Sequence, residues 1–396
     1  MSTQNGAKNR CLVSTTYSHS VQNTYNGFCE KDSCHQLKKY IFYDVNPAEG
    51  FNLRRDVYMR FAIMLKEAPR RSQWNLVLPP WPRLYHWRSH SYMDKPMPWR
   101  SFFDIEAMKS YVNVVELEDI FRETRSTTLK LDRVFVLENF DDPFENGEWE
   151  EKWDIVDTNC QYYSFWDNPN ITAAETICVK FQGKISKLWE LVSQHNSDKY
   201  VMFVHGEIPL HNHYGNKQYW DCRKSMKFSK HLVSAAEAYM LKNFVCKEKC
   251  KNYVGLHWRR QDFVGSHYKQ TPSMNGTAVQ LHKTLKKLGY GHIFIASDAG
   301  DEFRELINEL YKFGYEVYYF KPTVEELKYF KDGGVAIIDQ IICSHSYFFI
   351  GTYESTFTFR IQEEREILGI PSDLTFNRLC PDSGVCEKPS RWTIIN

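Results

Sequence analysis

Residues 40–67, YIFYDVNPAEGFNLRRDVYMRFAIMLKE, decide the fold class. Tyr40–Val45 is a short apolar run rich in aromatic and branched side chains, which reads as a buried strand. Pro47 breaks the run, Glu49-Gly50 form a turn, and Asn52 is expected to cap a helix over Leu53–Glu67. A strand feeding directly into a helix is the first half of a strand–helix–strand unit, whose sheet is parallel and covered on both faces.

The same alternation continues on the C-terminal side of this segment. Asn75–Leu78, Val134–Leu137, Thr176–Phe181 and Tyr200–Val204 read as strands, with helical patterns near Asp104–Tyr111, Lys184–Val192 and Tyr219–Leu241. A second series has strands at Tyr253–His257, His292–Ala296, Val317–Phe320 and Tyr347–Ile350. Its helices fall over Val279–Leu288, Asp301–Phe313 and Gly334–Ser344, with one more after Ser355. The expected architecture is α/β, with two doubly wound Rossmann-like domains facing a cleft. Residues 1–35 read as an N-terminal arm, 36–225 as one domain and 226–396 as the other. A length of 396 residues fits two cores better than one.

Composition narrows the function classes. Lys plus Arg number 50 against 49 Asp plus Glu, so the net charge of +1 leaves no basic surplus for nucleic acid. No run of about 18 apolar residues is present, so no membrane-spanning helix is expected. The opening residues, MSTQNGAKNR, lack the apolar core of a signal peptide. Eleven cysteines include four pairs close in sequence: Cys29/Cys34, Cys160/Cys178, Cys246/Cys250 and Cys380/Cys386. Such spacing suits short disulfide loops and an oxidising compartment, whereas Cys343 reads as a buried thiol in an apolar helix. Sequons at Asn170 and Asn275 point the same way.

Ligands of open parallel sheets sit beyond the carboxyl ends of the strands. At one such junction, YFFIGTYESTFTFRI (347–361), Ser355 is placed to cap a helix whose free amides at Ser355, Thr356 and Phe357 would meet an anion. At another, VGLHWRRQDF (254–263), the strand runs out into His257, Trp258 and two arginines. Successive residues of extended chain point opposite ways, so at most one of Arg259 and Arg260 is expected to face the cleft, where a guanidinium could clamp a diphosphate. The other reading is a surface arginine paired with Asp262. Ser297-Asp298 reads as a helix cap or a ribose contact, with capping favoured. Asp339, embedded among isoleucines, requires a partner, and could meet a nucleotide or brace Arg259. Glu49 stands in the first domain's cleft-facing loop and could serve as a general base, although a solvated turn carboxylate looks the same in sequence. No D-x-D triplet is present and His211-Asn212-His213 lacks a third ligand, so no metal is expected.

Six segments carry a family resemblance: YDVNPAEGFNLRRDVY (43–58), LVLPPWPRLYHW (76–87), HNHYGNKQYWDCRKSM (211–226), HWRRQDF (257–263), KDGGVAIIDQIIC (331–343) and GTYESTFTFRIQEEREILG (351–369). From about residue 38 to its end the chain resembles the GDP-fucose protein O-fucosyltransferases of the thrombospondin-repeat type. The resemblance implies a GT-B fold, GDP-fucose as donor, inversion at the anomeric carbon and no metal or other cofactor. It implies a Ser or Thr hydroxyl of a folded thrombospondin type 1 repeat as acceptor, and the endoplasmic reticulum lumen as compartment, although no retention tetrapeptide ends the sequence (RWTIIN). Carried over by position, Glu49 matches the catalytic carboxylate and Ala48, Gly50, Phe51 and Asn52 the sugar-nucleotide loop around it. His257, Trp258 and Arg259 match the segment that reaches the diphosphate, Asp339 a nucleotide contact, and Thr356 and Phe357 the helix-terminal amides. Cys160–Cys178 and Cys380–Cys386 match the family's disulfides. Ala48 stands where a second proline is common, and Trp258 where an aliphatic residue is usual. A monomer is expected. The aromatic stretch from Trp81 to Phe103, with Tyr85, Trp87, Tyr92 and Trp99, could wall an acceptor site or fill a core. The rival readings are transfer to EGF-like repeats and a non-catalytic module that binds folded repeats.

Overall fold

The computed structural model describes residues 38–396 apart from 69–72, 88–92, 94, 145–146, 159, 163, 245–251 and 396. The expected N-terminal arm, Cys29/Cys34, Cys246/Cys250 and Tyr92 therefore lie outside the described residues.

The first half comprises β1 (Lys39–Tyr43), α1 (Phe51–Glu67), β2 (Trp74–Leu78), α2 (Ile105–Lys109), β3 (Val114–Glu116), α3 (Leu117–Thr124), β4 (Leu129–Glu138), β5 (Lys152–Asp157), β6 (Ile171–Gln182), α4 (Leu188–Ser193) and β7 (Tyr200–Val204). Its seven strands line up as β3-β2-β1-β7-β4-β6-β5, all parallel except for the antiparallel edge pair β5–β6. Helices α5 (Lys217–Ser225) and α6 (Lys230–Phe244) lead into the second half. There β8 (Val254–Trp258), α7 (Gln261–Ser266), α8 (Met274–Leu288), β9 (His292–Ser297), α9 (Asp301–Lys312), β10 (Glu316–Tyr318), α10 (Val324–Ser344) and β11 (Phe348–Ile350) give a parallel sheet ordered β10-β9-β8-β11. Helices α11 (Thr356–Ile367) and α12 (Ser372–Thr375) close the fold.

Central parallel strands are apolar on both faces because helices cover both, and Ile41, Phe42 and Tyr43 of β1 are fully buried. The α/β expectation is met, with differences at the margins. Strands β3 and β5 are not among the expected elements: β3 is three residues long, and β5 exposes Asp154–Asp157 on the sheet edge, so neither carries a buried apolar run. The pattern over Tyr219–Leu241 divides into α5 and α6, because Phe228 turns aside to bridge Phe103. Helix α8 starts earlier than its apolar stripe, capped by the Ser273 side chain on the Gly276 amide. The two disulfides expected at Cys160–Cys178 and Cys380–Cys386 are formed, and Cys343 is a buried free thiol.

Helix α1 buries almost its whole circumference and meets α11 through charge as well as apolar packing. Asp56 of α1 accepts from Arg60 (2.9 Å) and lies 3.0 Å from His211 and 3.4 Å from Arg360 of α11. One turn on, Glu363 pairs with Arg360 (3.1 Å) and with Arg223 of α5 (2.8 Å). Each of these buried charges has an opposite partner, which burial demands. Arg365, also fully buried, donates instead to backbone carbonyls of Ser344 (3.0 Å), Ser346 (2.6 Å), Tyr347 (3.2 Å) and Leu374 (2.9 Å). Arg365→Met should therefore strand several buried acceptors and lower unfolding stability by about 3 kcal/mol or more, measured by denaturant titration. An unchanged midpoint would mean that water or rearrangement satisfies those carbonyls.

Candidate active site

Strand β1 ends in a tight turn, Asn46–Gly50, that leads into α1. The Glu49 amide donates to the Asn46 carbonyl (2.9 Å) and the Ala48 amide to the Asn46 side chain (3.0 Å). Arg54, from the first turn of α1, reaches back under this turn. Its guanidinium donates to the carbonyls of Glu49 (3.0 Å), Asn46 (2.8 Å) and Val45 (3.1 Å), which holds the turn. Glu49 is half-buried, and its carboxylate makes no hydrogen bond among the described residues.

The expected helix cap is corrected here. Gly50, not Asn52, occupies the cap position, and it offers no side chain. Asn52 sits inside α1, where its Oδ1 accepts from Arg55 (3.1 Å) and from Gln340 of α10 (3.0 Å). Arg55 also donates to Gln340 (2.8 Å), so three side chains join the start of α1 to α10. Phe51 is 3% exposed and packs against Trp81 and Phe102, which leaves only its backbone for a ligand. Most of the aromatic stretch is likewise core: Trp81, Trp87, Trp99, Phe102 and Phe103 are buried, while Tyr85 is 64% exposed. His86 lies beside Gly50, 3.5 Å from where a Cβ would stand. Burial first, and then the nearby Arg259 charge, hold its imidazole neutral, with a pKa of about 4.

A cavity of about 500 Å³ opens beside Glu49, lined also by Asn46, Glu138, His205 and Glu207 from the carboxyl ends of β1, β4 and β7. Burial, followed by the Glu207 charge, raises the Glu49 carboxyl above its ordinary pKa, against the pull of Arg54 and Arg60. Glu207 itself is lowered: hydrogen bonds from His205 and from the backbone outweigh its burial. Two adjacent carboxylates are thus pushed apart, with Glu49 the stronger base.

Across the chain, the ends of β8, β9 and β11 meet the N-terminus of α11. His257 is buried, its Nδ1 is 2.8 Å from Thr358 Oγ1, and its ring stacks on Phe357 at 4.3 Å. Desolvation keeps it neutral, with a pKa of about 3. Thr352 ties the strands together, donating to the His257 carbonyl (2.8 Å) and accepting from the Arg259 amide (2.9 Å). A Cβ on Gly351 would stand 2.2 Å from Thr358, so only glycine allows this approach. Ser355 holds the cap position of α11 but makes no side-chain cap bond, contrary to expectation. The amides of Thr356 and Phe357 nevertheless begin a 12-residue helix and lack intrahelical partners.

The two arginines separate as strand geometry requires. Arg260 turns inward to Glu302 (2.8 Å) and the Pro272 carbonyl (2.6 Å). Arg259 is paired with Asp262 (2.6 Å) and with Asp298 (2.6 Å). Asp298 therefore orients Arg259 and does not cap α9, whose cap position is Gly300, and Asp339 does not brace Arg259. Ser297 Oγ donates to the Trp258 carbonyl (2.7 Å) and accepts from the Ala299 amide (3.1 Å). Trp258 is 1% exposed and lies under Arg260, leaving its backbone as the available contact. Asp339 Oδ1 is buried without a hydrogen-bond partner among the described residues, and burial raises its carboxyl far above its ordinary range. Among the described residues no cluster of three or more His, Cys, Asp or Glu is arranged to hold a metal. Sequence reasoning missed Arg54, His86, His205, Glu207, Thr352 and Thr358. Only HGEIP (205–209), directly after a strand, offered a readable sign.

The family model described as GDP-fucose protein O-fucosyltransferase matches residues 40–368. The chain is 38% identical over 390 residues to human GDP-fucose protein O-fucosyltransferase 2, covering 90% of each. It is 37% identical over 394 residues to the Caenorhabditis elegans protein of the same name, again covering 90% of each. The crystal structure of POFUT1 in complex with GDP-fucose is similar in fold, with a TM-score of 0.58 at 15% identity, covering 87% of this chain and 97% of that one. At that identity the likeness concerns the fold, which is of the GT-B type expected.

Proposed function

The chain belongs to the GDP-fucose protein O-fucosyltransferase family and is a GDP-fucose-dependent fucosyltransferase; from that premise we propose that it transfers fucose, with inversion and without a metal ion, to a Ser or Thr hydroxyl of folded thrombospondin type 1 repeats. The observation that carries the reading is His86, which lies beside Gly50 of the Glu49 turn and feels the Arg259 charge, so that the raised-pKa carboxylate and the arginine near the free amides of α11 serve one site. In this reading residues 36–225 serve the acceptor side and 226–396 the nucleotide side.

GDP departs readily only if its growing charge is stabilised, which Arg259 and the Thr356 and Phe357 amides are suited to do. The sugar then passes through an oxocarbenium-like state. Glu49 takes the acceptor proton as the hydroxyl attacks the opposite face, and a raised pKa makes it the better base. Asp339 serves the nucleotide, its unpartnered Oδ1 accepting or donating a hydrogen bond there. The two formed disulfides favour an oxidising compartment, and we place the enzyme in the endoplasmic reticulum lumen as a monomer.

The test offers GDP-fucose with disulfide-intact thrombospondin type 1 repeats and EGF-like repeats, in the presence and absence of EDTA. Fucosylation of the thrombospondin repeat alone, equal with and without chelator and giving the inverted anomer, is the expected result. Transfer to the EGF-like repeat instead would overturn the acceptor, and loss of activity with EDTA would overturn metal independence.

A further inference from the structure

We propose that Glu207, held by His205, is a positioning residue that fixes the turn presenting Glu49 and places its own carboxylate beside it in the same cavity. The proposal rests on Glu49 being the base.

The geometry begins in the backbone. Strands β1 and β7 are neighbours, and just past their ends the Gly206 amide donates to the Asp44 carbonyl (2.8 Å). A side chain at 206 would collide with Phe61, at 2.7 Å from its ring, so glycine permits the close approach. His205 takes up the resulting bend in a left-handed conformation, φ 59°, which is strained for a non-glycine residue. Strain of this kind persists where the surroundings enforce it, and here it brings Glu207 over the Asn46–Gly50 turn. Glu207 Oε2 accepts from the Asn46 amide (3.2 Å), and Oε1 lies 3.4 Å from His205 Nδ1. Asn46 in turn bonds the Ala48 and Glu49 amides. One carboxylate therefore holds the anchor residue of the turn that carries the other, and both open into the same cavity.

The charges acting on Glu49 come from Arg54 and Arg60 on α1 and Glu207 after β7, Glu138 at the end of β4 and His205 share its cavity, and Asp44 just past β1 acts on His205. Among them Glu207 is the main one that raises Glu49. His205 is itself raised by its hydrogen bond to Glu207, and when protonated it offsets that carboxylate's field. The sign follows. Glu49 acts as a base only when ionised, so kcat/KM falls as pH drops through its pKa. Removing the Glu207 charge lowers that pKa and moves the acid limb to lower pH. Removing His205 leaves Glu207 uncompensated and moves the limb upward.

The experiment is the pH profile of kcat/KM for fucose transfer by the full chain and by Glu207→Gln, His205→Asn and Glu49→Ala, with melting temperatures alongside. Glutamine keeps an acceptor for the Asn46 amide, and asparagine tolerates the left-handed backbone. Glu207→Gln should move the acid limb down by about half a pH unit or more and lower the plateau about two- to tenfold, with KM for GDP-fucose unchanged. His205→Asn should move the limb the other way. Limbs that stay in place in both variants overturn the proposal, and so does a loss of rate matched by a loss of melting temperature with no limb shift. Parental turnover in Glu49→Ala would instead remove the base reading itself.

Discussion

Glu49→Ala is expected to lower kcat by about 10²- to 10⁴-fold while GDP affinity stays within about twofold of the parent. The asymmetry follows from position. Glu49 is presented by a turn at the end of β1, and the basic and amide groups suited to the diphosphate belong to β8 and α11. The turn itself should survive, because Arg54 and Asn46 hold it through backbone groups and not through the Glu49 carboxylate. Initial rates with GDP-fucose and folded repeat, with calorimetric titration of GDP, measure both quantities. A variant that transfers fucose at the parental rate would show that a substrate group or water takes the proton. A variant that loses GDP affinity as well would mean that Glu49 helps to shape the donor site.

Arg259→Ala is expected to lower kcat by about 10²- to 10³-fold, the cost of deleting one well-aimed donor to developing negative charge. Here GDP affinity should fall too, since the diphosphate is charged in the ground state as well as in the transition state. The structure adds a reason to include Arg259→Lys. Asp262 and Asp298 hold the two Nη atoms of the guanidinium separately, at 2.6 Å each, and a lysine ammonium cannot span both while keeping the same reach. Lysine should therefore recover part of the affinity and little of the rate. A parental kcat in Arg259→Ala would move leaving-group stabilisation onto the Thr356 and Phe357 amides alone.

How far a residue's role was readable depended on whether its partners were near it in sequence. Arg259 and Arg260 are adjacent, so strand alternation alone separates their directions, and the structure sends Arg260 to Glu302 and leaves Arg259 at the strand ends. Asn52 misled because its type and place match a cap, yet its partners Arg55 and Gln340 include one on α10. Asp298 misled in the same way: Ser-Asp before a helix reads as a cap, but the carboxylate is claimed by an arginine from the neighbouring strand. Phe51 and Trp258 entered as donor contacts only through the family resemblance, and their burial, which leaves their backbone as the available contact, is visible only in the structure.

The sequence by itself determined the alternation of strands and helices, since period and apolar runs are local properties, and it marked Glu49, His257, Arg259 and the start of α11 at strand ends. It also carried, in six long segments, the likeness to a family of fucosyltransferases. Tertiary structure alone decided which charges meet. Glu207 stands 158 positions from Glu49 in sequence, and the close pass of Gly206 under Phe61, beside the left-handed His205, is a contact between distant elements. Electrostatic tuning falls off with distance in space and is blind to distance along the chain, so the basicity of Glu49 becomes visible only when β1 and β7 lie side by side.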